Sequence, residues 1–253
     1  MSLYTDKKQD RTCIQTHNTQ KKYQDSMINI VYTNSNTKDV FSLFKKQHDR
    51  FSTLPLFTIS DYAGDYIYNN ADPYYKHWIN ALKHVQDDYF IYNQEDFLLY
   101  DNVQYDILLE LKNFLVNNPK YSFIRLIKSG QNLSNALVGT NLYSIGYNSY
   151  PLYSMQATIW NKQRFIELYN SAKQVNWFES EDYEKSCRLL SIVGAYYYNN
   201  EQARGGHYDS SVYPYIATAV VKGKWNIGEY PVELGNILSE NNINLNNRGI
   251  IWY

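Results

Sequence analysis

Cysteine is almost absent from this chain: Cys13 and Cys187 are the only two in 253 residues. One stands in a polar N-terminal stretch and the other in a segment of helical pattern. That placement makes neither a disulfide framework nor a zinc cluster, and it suits a reducing compartment. Long apolar runs are missing too. None approaches the roughly 20 residues that span a bilayer, and no signal-peptide pattern opens the chain. The expectation is a soluble cytoplasmic protein, in host cytoplasm if the source is viral. Charge of one sign is also lacking, with a formal net charge of -1. Basic residues are dispersed apart from Lys-Lys pairs in the N-terminal stretch and at Lys45–Lys46, so no nucleic-acid partner bound by bulk charge is expected. Two nucleotide fingerprints are absent. No G-x-G-x-x-G follows the first expected strand, which disfavours a Rossmann dehydrogenase, and no G-x-x-x-x-G-K-[ST] occurs, which excludes a P-loop enzyme.

What the chain does have is enough apolar residue for a sizeable core, 44% hydrophobic against 19% charged. That balance indicates a globular protein. Tyrosine is abundant, with 27 residues, and Asn, Ile and Lys are plentiful. Their codons are AT-rich, so a low-GC bacterial or large DNA-virus genome accounts for the bias. A sugar-binding surface is the alternative, because tyrosine rings stack on sugars and their hydroxyls bond to them.

Residues 1–26 are polar and aperiodic and are expected to form a disordered tail. One domain is expected over 27–253. Residues 27–34 (MINIVYTN) and 54–60 (LPLFTIS) read as strands ending in polar residues. Between them Val40, Phe41, Phe44, His48 and Phe51 recur at helical spacing after Thr37 and Asp39. Pro73 suits the first turn of a second helix with Asp72 as its cap. In that helix Tyr75, Trp78, Ile79, Leu82 and Val85 share one face. A third strand ends at Phe90-Ile91-Tyr92. Val103, Ile107, Leu108, Leu111 and Leu115 then mark a helix stopped by Asn-Asn-Pro at 117–119, before a strand over 121–127. This alternation predicts an α/β fold with a mostly parallel central sheet and helices on both faces. The C-terminal half reads as a mixed part: a long loop region over 128–153, a strand over 154–160, a helix, a strand end or loop that becomes helical over 177–191, a second loop over 201–214, a strand over 215–225 and a last helix.

Glu95 and Asp96 stand out. Two adjacent acids follow a buried strand just before the chain turns apolar again, and burying a carboxylate is costly unless something pairs with it. In open α/β sheets ligands bind beyond the carboxyl ends of the strands. Thr33 and Asn34, Ser60 and Asp61, and Glu95 and Asp96 all occupy such ends and would meet in one crevice. Adjacent acids there suit a hard divalent cation gripping phosphate oxygens. An ordinary acidic turn is the plain alternative.

The strand ending in this pair, shortly after Trp78 and Leu82 in W-x3-L spacing, resembles the GT-A class of nucleotide-sugar glycosyltransferases. There a D-x-D-type motif holds Mg²⁺ or Mn²⁺ against the diphosphate, and Asn93-Gln94-Glu95-Asp96 departs from the strict form. Ser154, Gln156 and Trp160 match a strand of pattern S-x-Q-x-x-x-W in the same class, and residues 176–179 (Asn-Trp-Phe-Glu) match an aromatic-acidic stretch. The resemblance covers roughly residues 28–225. It implies a GT-A, Rossmann-like fold and a nucleotide-diphosphate sugar donor transferred to a saccharide acceptor in glycan or polysaccharide assembly, with inversion. It assigns Asp96 and Glu95 to the metal, joined by His207, and Glu179 as the base taking the acceptor proton. It assigns Thr33, Trp78, Glu95, Arg125 and Gln156 to the nucleotide sugar, and Asp61 and Tyr62 join them by their position at the end of the second strand. Arg204, Lys222 and Lys224 are further cations for the diphosphate. Each has a structural alternative: Trp78, Trp160 and Trp177 as core, Glu179 as a capping acid, His207 as an exposed loop residue. Two other functions stay open, a glycoside hydrolase with Glu95 and Glu179 as its pair, and a non-catalytic carbohydrate-binding protein.

Overall fold

A computed structural model describes residues 27–130, 133–172 and 180–252. Its centre is an eight-stranded sheet built from β1 (Ile28–Tyr32), β2 (Leu56–Ser60), β3 (Tyr66–Ile67), β4 (Tyr89–Gln94), β5 (Phe123–Arg125), β6 (Leu142–Ile145), β7 (Thr158–Asn161) and β8 (Gly194–Tyr197). The spatial order is β3-β2-β1-β4-β7-β5-β8-β6. The pairs β3–β2, β2–β1, β1–β4 and β5–β8 are parallel. Strand β7 runs antiparallel between β4 and β5, and β6 is an antiparallel edge on β8. The parallel strands therefore share one carboxyl edge, and the loop entering β7 comes down at that same edge.

Alternation along the strands divides the core into two layers. Val31, Ile91, Ile124, Ile159 and Ala195 face one side. There they meet α1 (Lys38–Phe51), α3 (Tyr105–Asn117) and the last helix, Pro231–Glu240. Ile30, Phe90, Tyr92, Phe123, Trp160 and Tyr196 face the other side. They meet α2 (Tyr74–Leu82), α4 (Lys162–Ser171) and α5 (Ser180–Leu189). The last helix is α6. In α1 the buried residues Val40, Leu43, Phe44, Gln47 and His48 follow helical periodicity, which is why this segment is a helix. Helix α4 starts where Asn161 accepts a hydrogen bond from Arg164 N at 3.0 Å.

The expected α/β class with a mostly parallel sheet and helices on both faces is the one observed. Several local expectations are corrected. Pro73 rather than Asp72 occupies the cap of α2, in extended backbone, and no side chain caps the helix. Its inner face is Tyr74, Trp78, Ala81 and Leu82, with Tyr75 and Ile79 half-buried. Strands β6 and β8 were not expected as strands. Residues 215–225 do not form one strand of the sheet. They run beside the extension of β4, where Ile216 N donates to Leu98 O at 2.9 Å and Ala219 N to Asp96 O at 3.2 Å. They then turn back as a hairpin of β11 (Val220–Val221) and β12 (Lys224–Asn226), completed by β13 (Ile250–Ile251). Lys222 and Gly223 form its turn at φ 50° and 77°, the double left-handed backbone of a tight hairpin. The second expected loop contains a small hairpin of β9 (Ala203–Arg204) and β10 (His207–Tyr208). The expected tail over 1–26 lies outside the described residues. No helix among the described residues is long and apolar enough to cross a membrane.

Candidate functional site at the carboxyl edge

Thr33, Asp61, Tyr62, Glu95, Asp96 and Gln156 all come to the carboxyl edge of the sheet, carried there by β1, β2, β4 and the loop into β7. The Asp61 carboxylate accepts from Ser35 N at 2.6 Å, from Ser35 Oγ at 2.8 Å and from Asn70 Nδ2 at 3.3 Å. It ties the segment after β1 to the segment after β2. Burial pushes the Asp61 carboxyl up, and the bonds from Ser35 and Asn70 outweigh it, leaving it below the ordinary value. The Tyr68 hydroxyl donates to Thr33 O at 3.2 Å. The Lys38 ammonium lies 4.6 Å from the centroid of the Tyr62 ring.

Glu95 and Asp96 occupy a tight turn closed by Phe97 N donating to Gln94 O at 3.2 Å. The end of β4 is held from below by a buried amide network. Asn29 and Asn93 donate to the Tyr213 hydroxyl at 2.8 Å and 3.1 Å, and Asn93 Nδ2 donates to Asn29 Oδ1. Both acids keep some solvent contact in the crevice, yet protein packs closely around them. Burial raises the Glu95 carboxyl, with the Thr37 hydroxyl and the Arg248 charge pulling against it. Burial, and then the neighbouring Glu95 charge, push the Asp96 carboxyl up to about 8. The sole side-chain hydrogen bond it receives among the described residues is a long one, Val220 N to Oδ2 at 3.5 Å. Arg248 is the nearby cation, but it is committed elsewhere. Its guanidinium bonds to Asp39 through two nitrogens, to Asn36 O at 3.1 Å and to Gly223 O at 3.3 Å.

Farther along the edge, Gln156 accepts from the Tyr215 hydroxyl at 2.9 Å and donates to Ala217 O at 3.3 Å. Arg125, at the end of β5, is 1% exposed. Its Nη2 donates to Leu152 O at 3.2 Å, and among the described residues its Nε and Nη1 have no hydrogen-bond partner. Burial brings it down to about 10. Arg125 is thus beneath the edge rather than open in the crevice.

Three expectations fail on geometry. Trp78 is 0% exposed, sandwiched in the core with its ring 4.9 Å from Tyr92 and 5.3 Å from Phe165. It presents no face to a nucleotide sugar. Its W-x3-L spacing is that of a helix packing on the sheet. Trp160 is likewise core, against Phe123. His207 does not join the acidic pair. Its Nδ1 lies 3.6 Å from Glu229 Oε2, and among the described residues no three His, Cys, Asp or Glu side chains converge on one metal position. Arg204 is held by Asp209 at 3.0 Å and Glu233 at 2.6 Å, so it is not a free diphosphate ligand. Lys222 and Lys224 lie on the β11–β12 hairpin. Glu179 and Trp177 lie outside the described residues. Two further cations come to this edge: Arg248, brought in from far along the chain with no local signal, and Lys128, which follows β5 as Asp96 follows β4.

No protein-family model matches the sequence, and no curated protein matches it. Among solved structures, the chain is similar to a CMP:2-keto-3-deoxy-manno-octonic acid synthetase complexed with CTP. The identity is 9%, over 68% of this chain and 89% of that chain, at a TM-score of 0.42. It is similar also to a cytidylyltransferase from Leptospira borgpetersenii serovar Hardjo-bovis (strain JB197). Here the identity is 13%, over 90% of this chain and 99% of that chain, at a TM-score of 0.42.

Proposed function

We propose that this protein is a glycosyltransferase that moves a sugar from a nucleotide-diphosphate donor to a saccharide acceptor, with Glu95 and Asp96 as the ligands of an Mg²⁺ or Mn²⁺ ion. The observation that carries the reading is the Asp96 carboxyl, pushed up to about 8 beside a second acid, at the carboxyl end of a central parallel strand. Two half-buried carboxylates side by side, with no free cation beside Asp96 among the described residues, favour a positive charge between them. The donor set fits a hard ion held by one or two protein carboxylates, with phosphate and water oxygens completing its shell. His207 has no part in it. When bound, such an ion neutralises charge on the leaving diphosphate.

The chain's own residues do the rest. Asp61, by bonding Ser35 and Asn70, shapes the rim between β1 and β2 where Tyr62 meets the nucleoside, while Thr33, expected there, is 0% exposed and supports the rim from beneath. Gln156, Tyr215 and Ala217 order the floor beyond the acids. Glu179 remains the nominated base for the acceptor hydroxyl.

The test is product analysis with a panel of nucleotide sugars and oligosaccharide acceptors. Release of nucleoside diphosphate together with an extended glycan is the expected result, abolished in Asp96→Asn. Pyrophosphate released from a nucleoside triphosphate and a free sugar would instead identify a nucleotidyltransferase. Glycan cleavage without any nucleotide would identify the hydrolase.

A further inference from the structure

Lys128 stands three residues past the end of β5 and is 6% exposed. An ammonium has three N–H donors. Among the described residues Lys128 Nζ makes one hydrogen bond, to Ser129 O at 3.3 Å. It takes part in no ion pair among the described residues. Instead it lies 3.6 Å from the ring centroid of Tyr208 and 5.5 Å from that of Tyr198. Tyr208 N donates to Lys128 O at 3.1 Å, which holds the small hairpin against it. Three residues earlier, at the end of β5, Arg125 is buried with Nε and Nη1 unpartnered among the described residues, under the charge of Glu184.

A buried ammonium with ring faces against it and no carboxylate paired to it among the described residues is costly. Ring faces offset part of the cost for an ammonium. They do not use up its remaining donors. A multiply charged oxyanion would, and charge-assisted bonds to phosphate are among the strongest available. The place is connected to the acidic pair along the edge. Leu126 N donates to Ala157 O at 2.9 Å, the adjoining Gln156 donates to Ala217 O at 3.3 Å, and Ala219 N donates to Asp96 O at 3.2 Å.

We propose that Lys128, walled by Tyr198 and Tyr208, is the anchor of a phosphate-binding subsite at the carboxyl end of β5. On the reading given above, on which this assignment to the donor rests, it receives the diphosphate from the side opposite the acidic pair. The oxyanion chemistry itself does not depend on the sugar.

The test uses inorganic pyrophosphate as the probe, without divalent metal, titrated by calorimetry into the wild type, Lys128→Met, Lys128→Arg and Asp96→Asn. Met keeps the length of the stem and removes the charge. Loss of one charge-assisted hydrogen bond predicts affinity about tenfold or more weaker in Lys128→Met. Lys128→Arg retains most of the affinity, and Asp96→Asn binds at least as well as the wild type. Without ligand, Lys128→Met melts no lower than the wild type, because it removes an unpaired buried cation. A lysine with a purely structural role would melt lower. If Lys128→Met does not fold, the Cε resonance of Lys128 in lysine-labelled wild type, assigned from Lys128→Arg, is followed instead and shifts with pyrophosphate. Equal binding by wild type and Lys128→Met, no shift of that resonance, or equal response to acetate overturns the proposal. Pyrophosphate bound through Lys128 with no nucleoside diphosphate bound would support this subsite and sink the transferase reading. Nucleoside diphosphates bound equally well by wild type and Lys128→Met would do the reverse.

Discussion

Asp96→Asn should make the ligand-free protein more stable, and the gain should grow with pH. The Asp96 carboxyl moves from an ordinary 3.8 to about 8 on folding, first through burial and then through Glu95. Between those values the unfolded chain has released a proton that the folded protein still holds. Wild-type stability therefore falls as pH rises through that window and levels off above it, whereas below the lower value both states are protonated and the penalty vanishes. At roughly 1.4 kcal/mol per pH unit the whole window sets an upper limit of about 6 kcal/mol. Solvent in the crevice screens part of this, and we expect about 2 kcal/mol between about pH 5 and about pH 8. Burial holds His48 and His77 below their ordinary values, which adds an opposite slope near neutral pH. That slope is common to both proteins and cancels in the difference. Urea unfolding of wild type and Asp96→Asn across this range measures the quantity directly. Parallel profiles for the two proteins, or a less stable variant at about pH 8, would refute the claim that Asp96 is a strained, uncompensated acid.

The same pair gives a prediction for Mn²⁺, whose binding should tighten as pH rises toward about 8 and release a proton, measured by calorimetry in two buffers of different ionisation enthalpy. Tyr213→Phe removes the hydroxyl on which Asn29 and Asn93 converge at 2.8 Å and 3.1 Å. It should cost about 1–3 kcal/mol in chemical denaturation and weaken metal affinity at the turn above it. Trp78→Phe should cost about 1–2 kcal/mol of stability and leave nucleotide affinity unchanged, because Trp78 fills core and not crevice. Gly194→Ala in β8 would drive a Cβ into the Phe123 ring, so we expect a loss of about 1–3 kcal/mol, seen as a lower unfolding midpoint.

Much of the scaffold is legible in the sequence because its layers follow simple periods. Val40, Leu43 and Phe44 repeat as a helix, and Ile30 and Val31 alternate across a strand. The place of Glu95 and Asp96 in the fold is legible for a related reason: two acids shortly after Phe90-Ile91-Tyr92 mark the carboxyl end of a buried strand. The misreadings share a cause as well. Residues 215–225 are apolar because they pack along the extension of β4 before turning into the β11–β12 hairpin, and burial of that kind looks like one continuous strand of the sheet. Strand β8 is short, Gly-Ala-Tyr-Tyr, and buried on both faces, so it carries no alternation to read. Trp78 owes its spacing to packing, which sequence alone cannot distinguish from a ligand platform. His207 is drawn to Glu229 by a fold-level contact with no local trace. Lys128 was detectable, since the strand-end rule that singles out Asp96 applies equally to the residue after Ile127.

The most direct test of the account is calorimetric titration of nucleoside diphosphates with and without Mn²⁺ into the wild type and Asp96→Asn. Mn²⁺-dependent binding of at least one nucleotide by the wild type, lost in Asp96→Asn, is the predicted result. Binding that ignores both the metal and Asp96→Asn would contradict the assignment of the acidic pair, and no binding of any nucleotide would contradict the nucleotide site itself.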